Sequence, residues 1–225
     1  MLGERLTNLV SLEALKLAAA ITILSPYVPL LFMGEEYGED SPFLYFIEHG
    51  DRTLKKAVSE GRKEEFAQFK WQQEPPDPQD IKTFKKSKID WQKREEGHHA
   101  VLLDYYRQLL QLRKQYDLLR CPSRKQIRVW GSEKNKVLVQ KRLGTEQQIL
   151  LLANFNHREI QYELKHCDYG VVSGTFSWYL MMDSSQTKWL GNGPSAPNIF
   201  CERDKIILKP YQFLLYEQKG CLLYT

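Results

Sequence analysis

"LLFMGEEYGEDSPFLYF", residues 30–46, passes from four apolar side chains through a glycine into paired glutamates, then further acidic residues, a proline and a second aromatic run. The first four are short, continuously apolar and followed by Gly34, which predicts a strand buried on both faces of a parallel sheet. Upstream, Ser11 can cap a helix whose apolar positions Leu12, Leu15, Ala19 and Ile23 recur at three- to four-residue steps, with Glu13 near the positive end of its dipole. That helix is expected to end near Ser25-Pro26, and the Pro-Tyr-Val-Pro turn then leads into the strand. Helix, short turn, buried strand and a polar glycine-bearing loop form the repeating half-unit of an α/β fold.

The uncharged stretch "LAAAITILSPYVPLLFM", residues 17–33, does not read as a membrane span. Pro26 and Pro29 split it, Glu13 and Lys16 stand in its leading helical turn, and about 20 unbroken apolar residues are needed to cross a bilayer.

Residues 38–96 form an irregular, charged excursion with short helical pieces expected at about 52–60 and 63–69 and a proline-rich joint, "EPPDPQD". Connections beyond about 12–15 residues usually carry a site or are disordered, so this is a candidate functional loop. The following "HHAVLLDYYRQLLQLRKQY" sets Val101, Leu102, Tyr105, Leu109 and Leu112 on one face of a core-packing helix. Beyond Cys121-Pro122 the period changes. "IRVW", "KVLVQKRL", "QILLLANF", "EIQYEL", "FSWYLMM", "KIILK" and "QFLLYE" are short strand candidates separated by Gly, Asn, Asp, Ser and Pro clusters, the pattern of an antiparallel β-sandwich. The expected fold class is α/β plus all-β, with residues 1–120 and 121–225 as two domains and two cores.

A chain of 225 residues with 42% hydrophobic and 27% charged residues fits a folded globular protein. Its net charge of +4 is spread along the sequence, so no nucleic-acid partner is implied. The densest basic cluster, "KTFKKSK" at 82–88, is followed by "DWQKREE" and reads as a solvated helix face. Cys121, Cys167, Cys201 and Cys221 form no CxxC pair and read as reduced thiols of a cytoplasmic protein. His98 and His99 are adjacent, with no acidic or cysteine partner at ligand spacing, so solvent-facing histidines rather than zinc ligands are expected.

Glu35 and Glu36 fit a catalytic pair poorly. Retaining glycosidases set two carboxylates about 5–5.5 Å apart on opposite sides of a sugar, whereas consecutive side chains leaving a strand diverge. One of them suits hydrogen bonding to sugar hydroxyls or orienting another group, and a helix-initiating or salt-bridged surface pair stays open from the residues alone. No GxSxG, P-loop, HExxH or Rossmann glycine pattern occurs.

"LGERL", "SLEALKLAAAITILSPYVPLLFMGEEYGE", "PFLYFIEHGD", "EGRKEEFAQF", "PPDPQD", "FKKSKIDW" and "HHAVLLDYYRQLLQLRK" together resemble the C-terminal part of the malto-oligosyltrehalose trehalohydrolase family of α-amylase-type glycoside hydrolases. The resemblance covers roughly residues 2–120 in order, and the Gly-Glu-Glu-Tyr-Gly signature is not a general α-amylase feature. It implies a retaining hydrolysis that releases trehalose from malto-oligosyltrehalose, and a (β/α)8 barrel of which this chain would hold an incomplete C-terminal portion: the seventh helix, the eighth strand, the loop after it and the eighth helix. The family's third catalytic acid lies in an Asn-His-Asp shortly before the Gly-Glu-Arg-Leu segment. No position here matches it, the nucleophile or the acid/base, so no catalytic residue is carried over. A complete barrel also takes about 250 residues.

Barrel strands deliver active-site loops at their C-terminal ends, so the resemblance places Gly34, Glu35, Glu36 and Tyr37 on the rim of a substrate cleft. Phe43, Tyr45 and Phe46 would offer faces for sugar stacking or fill the loop's own small core. The implied partner is malto-oligosaccharide or malto-oligosyltrehalose, with no cofactor and no metal, and with self-association through an exposed barrel edge. Residues 1–120 alone are expected to fold poorly without a partner. The competing reading is a non-catalytic carbohydrate-binding or structural module. There Trp130 and Trp178 read as buried strand aromatics, and Trp189, in the turn-rich "QTKWLGNGPSAPN", as the exposed one.

Overall fold

The computed structural model describes residues 3–68, 76–145, 147–163, 177–201 and 204–219. Helices occupy the first part of the chain: α1 (Leu6–Leu9), α2 (Leu12–Leu24), α3 (Arg52–Gln68), α4 (Ile81–Lys86), α5 (Gly97–Gln115) and α6 (Asp117–Arg120). Strands β1 (Ile127–Ser132), β2 (Val137–Leu143), β3 (Gln147–Asn154), β4 (Ile160–Glu163), β5 (Ser177–Asp183), β6 (Ile199–Cys201), β7 (Lys205–Leu208) and β8 (Phe213–Lys219) follow. All pairings are antiparallel, in a six-stranded sheet of order β1-β2-β3-β8-β5-β6 and a two-stranded sheet β4-β7. The seven expected strands are present, and β6, three residues long, is an addition that sequence patterning missed.

β3 and β8 are the central strands and are apolar on both faces. Ile149, Leu151, Ala153, Phe213 and Leu215 point into one core with α2 and α5; Leu150, Leu152, Leu214 and Tyr216 point into a second core with Ile206 and Leu208 of the two-stranded sheet. A side-chain period of two requires this alternation, and burial on both sides explains why "ILLLA" and "FLLY" run without polar interruption. Each fully buried Leu, Ile or Phe contributes about 1.5–3 kcal/mol. The first core therefore spans the helices and the sheet, joining residues on both sides of position 121.

α2 begins as its sequence indicates, with Ser11 Oγ accepting from Ala14 N at 3.3 Å. Its end is held from outside. It has no basic residue in its last turn, yet Arg113 of α5 donates to the carbonyls of Ile23, Ser25 and Tyr27, and Arg142 of β2 donates to Leu24 O at 2.8 Å. Two guanidinium groups thus satisfy the carbonyls that a helix leaves unpaired and meet the negative end of its dipole. Burial, with Arg113 nearby, pulls the Arg142 pKa down to about 10. Among the described residues no helix is long and apolar enough to cross a membrane.

Three expectations are corrected. Residues 30–33 form no strand: Val28 and Leu30 are 91% and 89% exposed, and Phe32 and Met33 are also exposed. A parallel strand needs neighbours for its backbone groups, and every described strand starts at or after Ile127 and pairs antiparallel elsewhere. The two short helices at 52–60 and 63–69 are one helix, α3, continuous through Gly61 to Gln68, because a single glycine costs only about 1 kcal/mol in a helix; position 69 lies outside the described residues. Trp189 is buried, 7% exposed, with its ring edge-on to Tyr105 at 5.2 Å. The turn-rich loop around it folds back because Lys16 of α2, itself 1% exposed, donates to Ser184 O and Trp189 O at 2.8 Å each and to Glu13 at 2.9 Å.

Trp178 is buried as expected and Trp130 is half-buried against the second core. The lysines of "KTFKKSK" are solvent-exposed. Cys121 and Cys201 are free and exposed, and Cys167 and Cys221 lie outside the described residues.

Candidate functional site

The site is organised by two glycines. Gly34 (φ 82°) and Gly38 (φ 70°) adopt the left-handed conformation on either side of a single 3-10 turn, Glu35–Tyr37. A Cβ on Gly34 would stand 2.7 Å from Glu39 Cβ, so this position needs glycine for space as well as for backbone angle. Glu39 N donates to Gly34 O at 2.8 Å and closes the turn.

Glu39 is fully buried and is the hub of the loop. Its Oε1 accepts from Asp40 N (3.0 Å), Ser41 N (2.9 Å) and Lys93 Nζ (3.0 Å); its Oε2 accepts from Tyr37 Oη (3.0 Å) and Asp90 N (2.6 Å). Burial alone would push its pKa up, but the hydrogen bonds from Ser41, Asp90 and Lys93 outweigh it and hold the carboxyl well below the usual range. Lys93, which also pairs with Asp40, is held above its ordinary pKa by these two carboxylates in spite of partial burial. Tyr37 is fully buried, and burial together with Glu39 raises its phenol pKa. The Tyr37 hydroxyl is committed to Glu39, and its carbonyl lies 2.8 Å from His99 Nδ1, which must donate because a carbonyl can only accept. His99 is therefore half-buried and engaged, whereas its neighbour His98 faces solvent as expected, and burial followed by the charge of His99 lowers the His98 pKa.

The two adjacent glutamates differ. Glu35 accepts from Tyr106 Oη at 3.1 Å and from Phe32 N at 3.0 Å, so its carboxylate ties α5 to the segment before the turn. Glu36 is half-exposed and makes no hydrogen bond or ion pair with the described residues. Of the pair, Glu36 has both carboxylate oxygens unpartnered among the described residues, whereas each oxygen of Glu35 accepts one bond.

The chain's first described residues clasp this loop. Phe43 N donates to Gly3 O at 2.7 Å, Asn8 Nδ2 donates to Asp40 O at 2.8 Å, and Arg5 donates to Ser41 O at 2.6 Å and Met33 O at 2.7 Å with its guanidinium over the Phe32 ring. Between clasp and loop lies a cleft of about 410 Å³ lined by Arg5, Thr7, Phe32, Glu35, Glu39 and Phe43. Phe43 and Tyr45 are exposed; Phe43 meets Phe32 edge-on at 5.0 Å, and Arg62 sits 4.6 Å over the Tyr45 ring. Phe32 and Phe43 thus line the cleft together with the Glu35 carboxylate, whereas Glu36 and Tyr45 stand outside its lining. Sequence reasoning missed Glu39, Arg5, Lys93 and Tyr106. The bracketing glycines signalled a constrained turn, but nothing in one dimension distinguished Glu39 from the acidic residues around it.

No family model matches the chain. Curated proteins do. Malto-oligosyltrehalose trehalohydrolase of Brevibacterium helvolum is 44% identical over 115 residues, 51% of this chain and 20% of that protein. The protein of the same name from Saccharolobus solfataricus is 45% identical over 116 residues, 52% and 19%. That of Deinococcus radiodurans is 38% identical over 152 residues, 67% and 25%. The chain thus spans about a fifth to a quarter of these relatives. Among solved structures, a Salmonella typhimurium protein assigned as an alpha amylase superimposes with a TM-score of 0.69 at 26% identity, covering 96% of this chain and 32% of that one. Trehalose-6-phosphate hydrolase of Bacillus licheniformis superimposes at 0.55 with 16% identity, 92% and 39%, a likeness of fold.

Proposed function

We propose, from its kinship with the malto-oligosyltrehalose trehalohydrolases, that this chain supplies the C-terminal barrel rim and the following β-structure of a trehalose-releasing glycoside hydrolase acting on malto-oligosyltrehalose. The observation that carries the reading is the 44% identity over 115 residues with one such enzyme, at a length where chance resemblance is excluded, joined to a superposition that takes in 96% of the chain. On this reading residues 30–33, which form no strand here, lie on the side of the chain that the rest of the barrel would meet. Their exposed apolar side chains, with those of Leu6 and Leu9, form the face on which the remainder of a (β/α)8 barrel packs. Glu36 accepts hydrogen bonds from sugar hydroxyls, Phe43 and Tyr45 offer stacking faces, and Gly34, Glu35 and Tyr37 set the loop that carries them. The exposed, unpaired thiols of Cys121 and Cys201 suit the reducing cytoplasm.

Because no position matches the family's nucleophile or acid/base, these 225 residues bind saccharide without hydrolysing it. Incubation with malto-oligosyltrehalose, followed by a trehalose assay and calorimetric titration, tests both parts. Binding without release is expected. Sustained trehalose release would overturn the non-hydrolytic part, and absence of heat with a Glu36-intact chain would overturn the saccharide assignment of the rim.

A further inference from the structure

A second cleft, of about 380 Å³, lies away from the rim between residues 46–48 and 78–84. Its walls are mostly apolar, with Phe46, Ile47, Ile81 and Phe84, and its polar groups are Gln79, Asp80 and Glu48. The side-chain amide of Gln79 is shut away from solvent with neither its oxygen nor its nitrogen hydrogen-bonded among the described residues. Leaving both ends of an amide unpartnered is costly and uncommon in folded chains. Gln79 itself lines the cleft, and a change of its side-chain rotamer is what would bring the amide to a ligand there.

The cleft and the rim are joined by aromatic rings. Phe32 and Phe43 line the rim cleft and lie 5.0 Å apart; Phe43 lies 6.0 Å from Phe46, and Phe46 lies 5.1 Å from Phe84 in the second cleft. Phe32, Phe43 and Phe84 are each solvent-exposed. Apolar walls with a few fixed polar groups are what a small-molecule site needs. A neutral amide selects groups that both donate and accept, as paired hydroxyls do, and the carboxylates of Asp80 and Glu48 disfavour an anion.

We propose that this cleft is an outlying subsite for α-linked glucosyl units, reached by a saccharide chain that runs from the rim along the Phe32–Phe43–Phe46–Phe84 series, with the Gln79 amide bonding sugar hydroxyls. The proposal rests on the saccharide reading of the rim and extends it to a second place on the chain.

The test uses the full 225-residue chain labelled with 4-fluorophenylalanine, titrated with maltoheptaose and followed by fluorine NMR, with the Phe43 and Phe84 resonances identified through F43Y and F84Y. Shifts at both phenylalanines are expected. Gln79→Leu should weaken maltoheptaose binding about five- to tenfold. The same substitution should raise Tm by about 2–4 °C, because a similar volume without the unpaired amide relieves the folded chain. Phe84→Ala, at an exposed ring, should weaken binding comparably with little effect on folding. Shifts confined to Phe43, or unchanged affinity in both variants, overturn the subsite and leave the rim reading standing. Absence of any shift along the series overturns the subsite and the rim reading together.

Discussion

Tyr106 on α5 and Glu35 in the loop after Met33 meet at 3.1 Å, with the tyrosine buried and the glutamate half-buried. Burial first, and then the carboxylate, raise the Tyr106 pKa, so the phenol stays protonated and donating at every physiological pH. This bond divides the labour between two residues that sequence alone leaves equivalent.

Glu35→Ala strands the Tyr106 hydroxyl and the Phe32 amide, and should cost about 1–3 kcal/mol. Glu36→Ala removes no bond to the described residues and should stay within about 0.5 kcal/mol. Urea unfolding of the two variants measures the difference; saccharide titration should show the reverse order, with Glu36→Ala the weaker binder.

Glu39 makes stability depend on pH. Its folded pKa is depressed below the ordinary 4.5, so unfolding takes up protons as pH falls. Its contribution is complete above about pH 5 and is lost progressively below that, as pH falls toward the folded value. Urea midpoints between pH 3 and 7 should decline on the acid side, and Glu39→Gln should flatten that decline. The variant should also lose about 3–5 kcal/mol at pH 7, since an amide nitrogen then faces backbone N–H donors and Lys93 loses its buried partner.

Gly34→Ala meets Glu39 Cβ at 2.7 Å in a left-handed backbone, whereas Gly97→Ala, at φ 52°, meets nothing within 4 Å. The first should cost about 2–4 kcal/mol from strain and overpacking, the second only the backbone term of about 1–2 kcal/mol. Thermal melts of the pair separate crowding from conformation.

Lys16→Met preserves the stem that α2 buries but leaves Ser184 O and Trp189 O without their donor. A loss of about 2–4 kcal/mol is expected, with a changed near-ultraviolet circular dichroism signal as Trp189 moves off Tyr105.

What could be read from sequence was what depends on near neighbours. Ser11 caps α2 through Ala14 three residues on, and β3 and β8 announce themselves by apolar runs that only central strands can bury. What escaped depends on distant partners. Glu39 sits in an acidic run, and its burial is decided by Asp90 and Lys93, 51 and 54 residues away. The segment 30–33 has strand composition, but a strand exists only where another backbone pairs with it. Trp189 lies in a loop that reads as exposed, and a lysine 173 residues earlier draws its carbonyl inward.

One carboxylate, that of Glu39, accepts from the amides of both Ser41 and Asp90. The intervening stretch therefore leaves and re-enters the molecule beside one carboxylate, with Phe43 tied to Gly3 O and packed on Phe32 just past the exit. Doubling such a detour costs only about 0.6 kcal/mol in closure entropy. Changes of length made away from these anchors leave the helices and sheets beneath with their packing.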